Sequence, residues 1–482
     1  MKQEKGLVNK ASKDFLLSIL AIMTYNGVLQ LVIYPGLKSR IGADAFGTVL
    51  YLIAVISIMG AGFGTSASYS RMVAKRERVE SNGDYNIFLA IVAGISLVVS
   101  VGAVVALSFT GGDTAEGVSA TGMGNTQGGV DLSIATSGIN PQTSAFNVLF
   151  VVVVVWILMT VTVMRYYADV EYRMNIRFVD YFFFFAAVSA GYLVGLGIFD
   201  RIAGAYAIEL FGQTFWPGGD TSVLYADVNP VLGAKWTLAG ISWVIVLLSG
   251  ELFGIIYTVI RGRIFRAPFF ERSVAFTENL RSAFYISGGN LISAIILNSD
   301  RLLLRLMVGA REVTVFYFAS LIGKMVALLT TPLNGVIISY ITGYDIKINR
   351  KRFGICAAAL LAISLIGAAV CTGVSYVFVK IMYPDLLEEA KSLFLIANLG
   401  QLLYFLSGTL MVLLLGFSDE KLQMTINIIY AVLFVIIVLP AVSVWGISGM
   451  AFGLLAVNLL RFSVSLLLGL RLLKEDREIE KE

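Results

Sequence analysis

Long apolar runs, separated by short polar breaks, dominate the chain from end to end. A helix needs roughly 20 mostly apolar residues to cross about 30 Å of hydrocarbon at about 1.5 Å per residue. By that criterion about twelve spanning helices are expected, near residues 14–35, 45–70, 84–109, 145–167, 178–199, 236–260, 282–304, 313–341, 353–379, 391–416, 423–443 and 448–470. The expected fold class is therefore an all-α polytopic membrane protein. The basic opening MKQEKGLVNKASKD runs into the first apolar stretch without a small-residue cleavage pattern, so it reads as a retained first helix.

Composition points the same way: 57% of the 482 residues are hydrophobic and 14% are charged, with a mean hydropathy of +0.83. These values lie far from the balance of a soluble globular chain. The net charge of +4 therefore argues for no nucleic-acid partner, because in a membrane chain the placement of Lys and Arg around the spans is what matters. With the N-terminus inside, Lys and Arg favour the inside segments by about three to one, so both termini are expected in the cytoplasm. Residues 110–144 hold eight Gly and no Lys or Arg and are expected as a flexible outside loop. A second outside stretch, near 200–235, carries Phe215, Trp216 and Pro217 and is expected at the membrane surface.

Between the sixth and seventh spans runs RGRIFRAPFFERSVAFTENLR (261–281), five Arg interleaved with Phe265, Phe269, Phe270 and Phe276. Basic and aromatic side chains in alternation suit an interfacial helix on an anionic inner leaflet. This connector divides the chain into a six-helix lobe over 1–260, the amphipathic segment 261–281, a second six-helix lobe over 282–470 and a charged cytoplasmic tail over 471–482. A short echo accompanies the division. Ile41-Gly42-Ala43 and Val308-Gly309-Ala310 both precede an apolar run of similar character, and at that offset Ser57 corresponds to Lys324. Together these features predict a two-lobed transporter around a central cavity.

Histidine is absent, which removes His-dependent acid–base catalysis, Ser-His and Cys-His nucleophiles and the usual transition-metal sites. No phosphate-cradling Gly-Lys-Ser/Thr motif is present for ATP hydrolysis. Cys356 and Cys371 fall fifteen residues apart in one expected helix and cannot meet. No enzyme, cofactor or metal site is expected.

A charge at the bilayer centre costs about 2.5–3.5 kcal/mol on insertion scales, so intramembrane ionisable residues are candidate functional residues. Lys324 lies eleven residues into the eighth span, roughly 16 Å from its outside end, in the span that also carries Thr330, Thr331, Pro332 and Asn334. It reads either as a cavity-lining, substrate-facing cation or as half of a buried pair. Glu251 and Arg461 also fall near the midplane, about 15 Å from the inside, where bracing and substrate binding both fit. Asn26 and Gln30, with Thr24, mark a polar face on the first span that suits a cavity wall or helix–helix contact. Asp300 falls eighteen residues along the seventh span, about 27 Å from its inside end. On that count Asp300, Arg301 and Arg305 belong to an outer interface or an outer gate, with Asp300 pairing to either Arg or to a neighbouring span.

Tyr34-Pro35-Gly36-Leu37, followed by Arg40-Ile41-Gly42 and Phe46-Gly47, resembles the junction of the first two spans in bacterial polysaccharide flippases of the multidrug/oligosaccharidyl-lipid/polysaccharide (MOP) exporter superfamily. Ser299-Asp300-Arg301 through Gly309-Ala310, then Val315 to Ser320, resembles the matching junction of spans seven and eight. The resemblance implies a multi-pass protein of the bacterial cytoplasmic membrane. Such a protein translocates undecaprenyl-diphosphate-linked oligosaccharides by alternating access for capsule, O-antigen or exopolysaccharide synthesis. It also implies a coupling ion, H+ or Na+, and polysaccharide polymerase and chain-length proteins as partners beside the membrane lipids. A diphosphate crossing a low-dielectric lumen needs a counter-charge, and Lys324 is the best-placed one. The alternatives are a multidrug/cation antiporter of the same superfamily, which would want cavity carboxylates, the lipid II flippase, which has two further spans, and an intramembrane enzyme of polysaccharide assembly.

Overall fold

The computed structural model describes residues 16–77, 79, 81–110, 141–174, 177–211, 242–262, 265, 269–326, 349–415 and 420–472. The body of the Gly-rich loop, Phe215 to Pro217, the Thr330–Asn334 stretch, the N-terminal arm and the charged tail lie outside the described residues. In chain order the helices are α1 (Leu16–Ile41), α2 (Ala43–Met59, continued through a π turn at Gly60–Gly64 into Thr65–Glu77), α3 (Asn82–Thr110), α4 (Pro141–Met174), α5 (Phe178–Phe211) and α6 (Ser242–Tyr257, closed by a π turn at Thr258–Gly262). They continue with α7 (Phe276–Leu297), α8 (Ser299–Met307), α9 (residues 310–326), α10 (Arg350–Met382), α11 (Phe394–Leu415) and α12 (Glu420–Leu472). No strand occurs among the described residues, and ten of their helices are long and apolar enough to cross a membrane.

Local chemistry sets the breaks. Pro35 has no N–H to donate, and the helix takes up an extra residue in the π turn Leu29–Ile33 just before it. Asn349 caps α10 by accepting from the backbone N–H of Arg352 at 2.8 Å, and Tyr383-Pro384 ends the helix. Gly446, at φ 55° and ψ −128°, divides α12 into two arms, each long enough to span. A side chain there would strain the backbone, and the joint falls between the two spans expected at 423–443 and 448–470.

The expected seventh span, 282–304, is not one helix. α7 starts earlier, at Phe276, and stops at Leu297. Asn298 donates its side-chain amide to the Ala294 carbonyl at 2.9 Å, the same oxygen that accepts its backbone N–H at 3.1 Å, which folds the side chain back onto the last turn. Ser299 then opens the nine-residue α8, too short to cross alone. The connector also differs from the helix expected for it: residues 269–275 lie in bends and turns.

Two compact units emerge, one over Thr24–Asn298 and one comprising Ser299–Glu482 with the start of α1 through Met23. The division falls one helix beyond the connector at which the lobes are expected to part. In the first unit α2 is the core helix and is mostly buried, α5 packs on α6, and α3 packs on α4. α7 belongs here because the GAGFG turn of α2 lacks side chains at the crossing. A Cβ at Gly60 would run into the Tyr166 ring, one at Gly62 into Leu291 of α7, and one at Gly64 into the Val163 carbonyl. Asn290 of α7 donates to Ser66 at 2.8 Å across the same contact. At the far end of this unit Arg40 grips Asp200 through two hydrogen bonds of 2.5 and 2.8 Å. In the second unit α11 packs between α10 and α12, and α8 packs on α12. Arg311 and Glu389 form a similar forked pair at 2.7 Å.

Candidate functional site

Charges inside hydrocarbon must be paired, caged or hydrated, and each unit holds such an arrangement. In the first unit Glu251 of α6 meets Arg165 of α4 at 2.5 Å, both side chains only 5% exposed. Tyr192 of α5 donates to the other Glu251 oxygen at 3.1 Å. The Arg165 guanidinium lies 4.4 Å from the Tyr166 ring centre and 5.2 Å from that of Tyr25 on α1, where cation–π attraction supplements the ion pair. Tyr25 in turn packs on Phe185 at 4.9 Å and Tyr192 at 6.0 Å. Four helices thus converge on one carboxylate. Asn26 and Gln30 are half-buried on α1, the same helix as Tyr25.

In the second unit α8 and α9 form a helical hairpin turned at Val308-Gly309. Asp300, at the start of α8, is buried and forms an ion pair with Lys324 on α9. The Arg301 guanidinium stands 4.6 Å from the Tyr317 ring centre, and the Lys324 ammonium is 5.9 Å from the same ring. Arg305 is buried as well. Asp300 is therefore paired with Lys324, and the Lys324 and Arg301 cations share the ring of Tyr317.

Arg461, on the second arm of α12, is caged. Its guanidinium lies 4.7 Å from the Tyr404 ring and 4.8 Å from the Tyr430 ring, and one nitrogen approaches the Met411 sulfur at 3.4 Å. Tyr430 is fixed by donating to Asn458 at 2.8 Å, and Asn458 donates to the Gly400 carbonyl at 2.9 Å. Among the described residues no carboxylate pairs with Arg461, and its Nε has no hydrogen-bond partner.

Glu251, Lys324, Arg461 and Asp300 are all expected from the sequence, and Asp300 finds its partner on the neighbouring helix, in Lys324, which is one of that set. Arg165, Tyr25, Tyr192, Tyr404 and Tyr430 went unrecognised. Arg165 falls two residues inside the expected end of span four, at 167, but α4 runs on to Met174, so Arg165 lies well within the helix. No group of three or more Cys, Asp or Glu suited to a metal ion occurs among the described residues.

Helices of spanning length and buried charge clusters define a polytopic membrane protein. Its fold is shared with MATE transporters. A multidrug resistance MATE family transporter of the MOP superfamily, in an inward-facing conformation, is 14% identical, with 94% of this chain and 97% of that one covered and a TM-score of 0.54. A mutant of the Vibrio cholerae MATE transporter VcmN is 13% identical over 100% and 99% of the two chains, with a TM-score of 0.53. A MATE in complex with MaD3S is 14% identical over 95% of each, with a TM-score of 0.54. No protein-family model matches the sequence, and no curated protein matches it.

Proposed function

We propose that the protein is a secondary membrane transporter, not an enzyme, and that it exports amphiphilic cargo by alternating access in exchange for a coupling ion. The observation that carries this reading is the end-to-end MATE fold with a buried carboxylate–base pair in each compact unit. A multidrug/cation antiporter fits this best. On the sequence alone that reading lacked cavity carboxylates, because Asp300 counted as superficial; its burial against Lys324 makes it a second buried intramembrane carboxylate in addition to Glu251. A proton on Glu251 or Asp300 would neutralise the carboxylate and release its basic partner, which gives each unit a two-state element that a coupling ion can bias. The neighbours are named as multidrug resistance and MATE transporters, which supports the same cargo class.

One observation favours a second reading, the lipid-linked oligosaccharide flippase. Arg461 is a buried cation with no carboxylate partner among the described residues, and Arg301 stands over the Tyr317 ring. A diphosphate headgroup would supply a counter-charge for Arg461. Proteoliposomes distinguish the two. Gradient-driven efflux of a lipophilic cation such as ethidium, without movement of undecaprenyl-diphosphate oligosaccharide, is the expected result. Glycolipid movement that fails in Lys324→Ala and Arg461→Gln, with no cation efflux, would replace the first reading by the second.

A further inference from the structure

The segment between α6 and α7 is fastened on one side and bare on the other. On the fastened side, buried Asp84 at the start of α3 accepts from the Ser273 N–H at 2.9 Å, the Ser273 hydroxyl at 2.6 Å and the Asn279 amide at 3.0 Å. The Ser81 hydroxyl donates to the Glu271 carbonyl at 2.6 Å. Gly83 lies so close to the Glu271 backbone that a Cβ would overlap it. On the bare side Phe269, Phe270 and Val274 are 55%, 71% and 101% exposed. Arg272 is exposed between them, its guanidinium 4.9 Å from the Phe276 ring centre.

Three large apolar side chains on a rigidly held strap need a cover. The strap joins the ends of two spans, so it sits where hydrocarbon gives way to headgroups. Residues 261–281 carry five Arg against two Glu, a surplus that suits an anionic surface. A guanidinium fork matches phosphate oxygens, and aromatic rings favour the interface.

We propose that residues 269–274 are a preformed binding surface for anionic phospholipid headgroups of the adjoining leaflet. Phe269, Phe270 and Val274 enter the acyl boundary, and Arg272 meets the phosphates. The clamp on Asp84 holds the strap in its binding shape before lipid arrives, which reduces the ordering cost of association. This inference is independent of the cargo.

The test places a nitroxide at Phe270→Cys in a Cys356→Ala, Cys371→Ala background. Its accessibility to oxygen and to a water-soluble nickel chelate is then read in two kinds of vesicle, phosphatidylcholine alone and phosphatidylcholine with phosphatidylglycerol. The expected result is several-fold lower nickel access in the anionic vesicles, with the difference removed by Arg272→Gln, an exposed position that folding tolerates. Equal access in both lipids, whether high or low, would overturn the proposal.

Discussion

A guanidinium in hydrocarbon keeps its charge only beside something that replaces water, and three arginines of this chain do so in different ways. Arg165 uses a carboxylate and two rings, Arg301 uses the ring of Tyr317, and Arg461 uses two rings and a sulfur. Breaking a buried pair by removing one member costs about 3–5 kcal/mol, because the survivor is left uncompensated, whereas removing both is far milder. Arg165→Gln should accordingly lower the unfolding temperature in detergent more than the Arg165→Gln, Glu251→Gln double variant does. A double variant less stable than the single one would show that the pair is not coupled. Lys324, Glu251, Asp300 and Arg461 were legible in the sequence, since a lone charge in an apolar run stands out, whereas Arg165, close to the expected end of its span, was not. Their tyrosine partners were not either: tyrosines are common in membrane helices, and nothing in sequence spacing brings Tyr25, Tyr192 and Glu251 from three separate helices to one point.

At the scale of elements, length and hydropathy located most spans but read through the break at Asn298. Asn298-Ser299-Asp300 is a run of residues that favour helix ends, and a count of apolar residues gives them no weight. The consequence is large, because treating 282–304 as one helix put Asp300 at the outer surface, whereas the separate α8 brings it to Lys324. The echo between Ile41-Gly42-Ala43 and Val308-Gly309-Ala310 was more informative than its length suggests, since both are inter-helix turns. The joint in α12 was also legible, and it rests on one residue. Gly446→Ala forces a side chain into positive φ and should destabilise by about 1 kcal/mol or more, seen as a lower midpoint in thermal unfolding monitored by size exclusion. An unchanged midpoint would mean that the joint relaxes without cost.

For the whole molecule, the expected all-α polytopic class and the MATE-like fold agree, with ten spanning helices among the described residues against the twelve expected from the sequence, because a bilayer permits few backbone solutions and span length reports them directly. Cargo is less legible, since it depends on a few side chains whose partners come from distant parts of the chain. The account turns on ion exchange at Glu251 and Asp300. The most direct measurement loads proteoliposomes with pyranine and a sodium-sensitive dye and follows internal pH and sodium when ethidium is added across a proton or sodium gradient. Ethidium should trigger ion counter-movement in the native protein, and Glu251→Gln together with Asp300→Asn should abolish it while the folded fraction persists. Ethidium-linked counter-movement that continues undiminished in the doubly neutralised variant, or is absent from the native protein, would contradict it.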